Sequence, residues 1–168
     1  MYKMSDIEIN MGHQLWELSV EQAQEVLDAF LSTERDAFGT WIVDSVHLDY
    51  SFSSVVQAVH HIALEIGACH LDKEQQNVWF MRLGYYLGES LRRAKPGLSW
   101  GLGNPEYAFA NHPVVTGFAD GEEAEVIMIC KNIVQAVVEG ISPPERIDNG
   151  IKFWFDMPVS LVKTSGLR

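Results

Sequence analysis

Apolar residues recur at helical spacing in five separate stretches of this chain, and in one interval between the third and fourth they alternate instead. Ala23, Leu27, Phe30, Leu31, Phe38 and Trp41 mark a first helix, with Ser19 as its N-cap and Glu21 and Gln22 in its opening turn. Val55, Val56, Val59, Ile62, Ala63 and Ile66 form one stripe of a second helix, predicted from about 53 to 68. Asp72 followed by Gln75 has the spacing of a capping box and opens a third helix reaching about Ala94. Its buried side is predicted to hold Trp79, Leu83, Tyr86, Leu87 and Leu91, and Lys95-Pro96-Gly97 stops it. VIMICKNIVQAVVEG is the body of a fourth helix, and Ser142-Pro143-Pro144-Glu145 leads into a fifth through Ile147, Ile151, Trp154 and Phe155.

Between Leu98 and Phe118 the pieces LSWGLG, YAFANH and PVVTGF are short, aromatic or β-branched, and separated by Asn104-Pro105, His112-Pro113 and Gly117. Two or three short strands are expected there. The expected fold is therefore α+β: about five helices packed around a small antiparallel sheet or hairpin from residues 98–118, within one globular domain spanning 1–168. Gly84 and Gly88 lie one turn apart inside the third helix, where glycine costs about 1 kcal/mol relative to alanine, so a close backbone contact is expected on that face.

The charge balance narrows the partners. Twelve bases against 23 acids give a net charge of −11, which opposes binding to nucleic acid or an anionic membrane and suits a cationic protein. Acids gather in two places. Residues 1–44 hold nine of them against Lys3 and Arg35, with Glu21, Glu25 and Asp28 along one face of the first helix. The second group, Asp120, Glu122, Glu123 and Glu125, precedes the fourth helix, where acids also suit the helix dipole. Cys69 and Cys130 lack metal-ligand spacing and are expected as reduced, buried thiols. The first 18 residues do not have the pattern of a signal peptide, the tail after Pro158 has few apolar anchors, and no apolar run nears the ~20 residues that span a bilayer. These features lead to the expectation of a cytoplasmic location.

Candidate chemistry is sparse. His61, Glu65 and Cys69 recur every fourth residue, but His61 points away from the apolar stripe, and the order of residues in HHIALE is not that of a zincin; a local His61–Glu65 pair is expected instead of a metal. No G-x-S-x-G elbow occurs, and Gly101-Leu102-Gly103 is not followed by the G-K-[ST] of a phosphate loop. No cofactor, metal or catalytic set is therefore expected. Glu89, Arg92, Arg93 and Lys95 form the dense basic patch, read as surface ion pairing. Trp100 and Tyr107 are expected in the core of a half-buried sheet, with a ligand-stacking platform as the alternative.

LGYYLGESLRR, followed by a short break and Trp100 on an extended segment, resembles a pattern in small bacterial α+β proteins, including immunity-protein-like families associated with polymorphic or contact-dependent toxins. Gly84, Tyr86, Gly88, Glu89 and Trp100 carry the resemblance, which covers roughly a quarter of the chain. It implies a protein that neutralises one toxin by tight binding and needs no catalytic residues. The acidic surface would then be drawn from Glu21, Glu25, Asp28, Asp120, Glu122, Glu123 and Glu125. The alternative is a small-ligand-binding protein or enzyme with a pocket near Trp100, Tyr107 and His112. A homo-oligomer joined through an apolar helix face is a third reading.

Overall fold

The computed structural model of the chain describes residues 15–161 except 42, 44 and 45. The expectations for the first 14 residues and the last seven lie outside these. Five helices form where the apolar periodicity placed them: α1 (Val20–Ala37), α2 (Phe52–Gly67), α3 (Lys73–Ala94), α4 (Val126–Val138) and α5 (Glu145–Asp156). The starts of the first four follow from side chains that satisfy the free N–H groups of a first turn. Ser19 and Gln22 cap α1 reciprocally, Asp72 and Gln75 do the same for α3, and Ser51 accepts from the Ser54 N–H at the start of α2. A short 3-10 turn, Phe38–Thr40, continues α1 towards Trp41.

Between α3 and α4 the chain forms a hairpin of β1 (Ser99–Leu102) and β2 (Pro113–Thr116), antiparallel, with Trp100 opposite Val115 and Gly101 opposite Val114. YAFANH is not a strand. It forms turns within a loop of ten residues, 103–112, that folds back on itself: Gly103 donates to the His112 carbonyl at 2.8 Å and Asn111 donates to the Gly103 carbonyl at 3.1 Å. A side chain at 103 would collide with the Phe109 carbonyl oxygen, so glycine is required for this closure.

α3 runs through the centre of the core, packed by α2 and α4, while α1 lies against α3 and β1, and α5 against α2 and α4. Both glycines of α3 sit at close contacts, as their cost predicted. A Cβ at Gly84 would stand 2.8 Å from the Ile127 Cα on α4, and one at Gly88 would overlap the Trp100 ring. The buried side of α3 holds Phe80, Met81 and Tyr85 in addition to Leu83, Tyr86, Leu87 and Leu91, while Trp79 is half-buried.

The chain from Gly117 to Glu125 then carries the end of the second acidic group, Glu125, into the molecule. Asp120 adopts a left-handed conformation, φ 59°, in the 3-10 turn Ala119–Gly121. Ala124 bridges to Val115 of β2, and both residues are buried. The segment after α5 returns to the same place, where Val159 bridges to Phe118.

Candidate functional site

Glu125 is the N-cap of α4. Its Oε2 accepts the Met128 N–H at 2.7 Å, an arrangement that suits the positive end of the helix. The carboxylate is nevertheless only 5% exposed, and its second oxygen, Oε1, has no hydrogen-bond partner. The nearest basic atom is Nδ1 of His112, at 3.8 Å, beyond hydrogen-bonding distance. His112 is itself 8% exposed, and its Nδ1 is also unpartnered. Leaving a buried polar group without a partner costs about 1–3 kcal/mol, and more for a charge. The two atoms are within ion-pair reach of each other when the ring is protonated, yet neither makes a hydrogen bond.

Both residues line a pocket of about 430 Å3, together with Trp16, Ala108, Phe109, Glu123, Met128, Ile129, Asn132 and Trp154. Each wall comes from a different element. The 103–112 loop supplies Ala108, Phe109 and His112, α4 supplies Met128, Ile129 and Asn132, and α5 supplies Trp154. Trp16 arrives on a 3-10 turn, Leu15–Glu17, held in place by Asn111, whose side-chain amide donates to the Leu15 and Leu18 carbonyls at 2.9 and 3.1 Å. Asn111 is left-handed, φ 65°, a conformation asparagine tolerates better than most residues. Glu123 fastens the other end of the loop by accepting the Asn104 N–H at 2.9 Å. A second depression shares Ile129, Asn132 and Trp154 and adds Arg146, Asn149 and Phe153.

Of the three residues expected around a ligand, only His112 reaches this pocket. Trp100 packs against Gly88 and stacks on Tyr85, and its Nε1 donates to Glu89 at 2.7 Å. It is a half-buried side chain packed against the core. Tyr107 is exposed over a neighbouring depression with Gly121 and Glu122.

The acidic groups divide similarly. Glu21, Glu25 and Asp28 are exposed along α1, and Asp120 and Glu122 are exposed before α4. Glu123 is half-buried and tied to Asn104, and Glu125 is buried, so the exposed surface expected of both excludes Glu125 and includes Glu123 only in part. Chain turning at Asp120, invisible to a count of charges, is the reason.

Other expected pairings change as well. Glu65 pairs with His70 at 3.1 Å in place of His61, and His60 pairs with Asp148 of α5 at 2.6 Å. Cys69 is exposed, against the expectation of burial; Cys130 is buried, and burial pushes its thiol pKa up. Arg92 pairs with Glu89, but Arg93 lies over the Tyr50 ring at 3.6 Å. Among the described residues no group of three or more His, Cys, Asp or Glu side chains could hold a metal ion, and no helix is long and apolar enough to cross a membrane.

Glu125 carried a sequence signal of its own: alone among acids 120–125 it stands between apolar neighbours on both sides, Ala124 and Val126, at the mouth of an apolar helix. His112 carried none beyond its place before Pro113. Comparison with protein-family models, with curated proteins and with solved structures gave no match to this chain.

Proposed function

We propose that this protein binds a small organic molecule in the pocket between the 103–112 loop, α4 and α5. The observation that carries the reading is the pair of buried, unpartnered polar atoms, Glu125 Oε1 and His112 Nδ1, on the wall of a pocket otherwise lined largely by aromatic and aliphatic side chains. A concave apolar site with a few convergent polar groups is the usual form of a small-molecule site, and 430 Å3 falls within its usual size. The test is a titration with small aromatic compounds of differing charge, followed by amide chemical shifts. Saturable shifts at Phe109, His112, Met128, Ile129 and Trp154 are expected. Shifts confined to other parts of the surface would contradict the reading.

A second reading, binding and neutralisation of a cationic protein such as a toxin domain, is favoured by the exposure of Glu21, Glu25 and Asp28 on one helix and of Asp120 and Glu122 beyond it, on a chain of net charge −11. Opposite charge would raise the association rate over a distance set by the Debye length, about 14 Å at 50 mM salt and about 4 Å at 500 mM. Reversing Glu21, Glu25 and Asp28 to lysine should weaken capture of a basic partner at 50 mM salt while leaving the melting temperature nearly unchanged. Capture insensitive to both reversal and salt would exclude this surface.

A further inference from the structure

We propose that the ligand of the Glu125 pocket is a protonated primary or secondary amine carried on a small apolar, preferably aromatic, body. This rests on the reading of the pocket as a ligand site, and it follows from which chemical groups the walls offer and which they lack.

The charged groups of the wall are two carboxylates, Glu123 and Glu125; neither lysine nor arginine lines it. Glu125 is fixed by its bond to the Met128 N–H, which leaves Oε1 as an acceptor aimed at no donor. An ionised carboxylate only accepts hydrogen bonds, so what completes Oε1 must donate. A neutral His112 ring with its proton on Nε2 presents Nδ1 as a second acceptor, 3.8 Å from the first. One ammonium group carries enough N–H donors to serve both atoms.

The remaining wall suits a cation equally well. Phe109, Trp154 and Trp16 offer aromatic faces, which attract an ammonium and also cover the apolar part of an organic amine. Burial strengthens both effects, because a charge-assisted hydrogen bond in a poorly solvated site exceeds one in water. An anionic ligand would meet two carboxylates, Glu123 and Glu125, with His112 the one base on the wall. A quaternary ammonium would have the charge but no N–H for Oε1. The remaining competitor is internal: His112 could close on Glu125 as a protein–protein ion pair, filling both valences without a ligand.

Four probes of nearly equal size separate these cases: phenethylamine, its N,N,N-trimethyl derivative, 2-phenylethanol and 3-phenylpropionate. Calorimetric titration should show phenethylamine binding about tenfold or more tightly than 2-phenylethanol, the scale of one hydrogen bond to a charged group. The trimethyl derivative should bind between them, and 3-phenylpropionate should not bind. Glu125→Gln preserves an acceptor for the Met128 N–H and should remove most of the advantage of the amine, with a smaller loss for 2-phenylethanol, whose hydroxyl can also donate to this position. Should that variant melt early, Glu123→Gln serves instead, with a smaller loss of amine affinity expected. If 2-phenylethanol binds as well as phenethylamine, or neither substitution affects the amine, the amine proposal is overturned and the pocket reading stands. If none of the four binds, both the amine proposal and the pocket reading are overturned.

Discussion

Two buried polar clusters, on opposite sides of α3 in the chain order, are treated in contrary ways. In the first, Tyr86 of α3 meets the start of α2: its hydroxyl lies 2.6 Å from Ser54 Oγ and accepts the Tyr50 N–H at 2.9 Å. Ser54 in turn donates to the Ser51 carbonyl, and Asp49 accepts the Ser51 N–H at 3.0 Å. Phe38 stacks on both Tyr50 and Tyr86, and Arg93 covers the Tyr50 ring. In the second, Glu125 and His112 are as deeply buried, yet each leaves an atom unpaired beside a pocket. The first cluster spends its hydrogen bonds on joining α2 to α3. The second leaves an acceptor open beside a pocket, the difference on which the proposal of a ligand site rests.

Removing one group from each cluster breaks the comparison if it is mistaken. Tyr86→Phe deprives Ser54 and the Tyr50 N–H of a shared partner in the core and should cost about 1–3 kcal/mol in chemical denaturation. A loss indistinguishable from zero would mean that the network contributes nothing. His112→Leu removes a buried atom that has no partner, and should change stability by less than about 1 kcal/mol in either direction. A loss as large as that of Tyr86→Phe would identify His112 as a structural residue and close the second cluster.

The smallest effect is electrostatic. Hydrogen bonds from the Ser51 side chain and backbone hold the Asp49 carboxyl at about 2, below its ordinary 3.8. A depressed folded-state pKa contributes stability above 3.8 that is lost as pH falls through about 2. Carboxyl shifts followed by NMR between pH 5 and 1.5 should therefore show Asp49 titrating with a midpoint near 2; a midpoint near 3.8 would show that Ser51 does not grip it.

The helical frame was more legible than either polar cluster, for a physical reason. Helix caps and apolar stripes are local, so Ser19, Asp72, Gln75 and the α2 stripe could be read in sequence order, and the helical cost of Gly84 and Gly88 announced contacts with Ile127 and Trp100. The pocket depends on where the chain turns. Nothing local says that Gly103 and Asn111 close a loop carrying Phe109 and His112, or that a left-handed Asp120 sends Glu125 inward. Acids 120–125 therefore read as one surface, though they end on two sides of it. Trp100, Tyr107 and His112 likewise read as neighbours because they are close in sequence, while Gly88 draws Trp100 against the core and the loop separates the other two.

The account stands on Glu125 Oε1 being completed by something outside the chain. A crystal structure of the protein soaked with phenethylamine tests this most directly. The ammonium nitrogen is predicted about 2.7–2.9 Å from Oε1, with the phenyl ring against Phe109 or Trp154. An empty pocket at saturating amine, with His112 Nδ1 drawn within hydrogen-bond distance of Oε1, would contradict it.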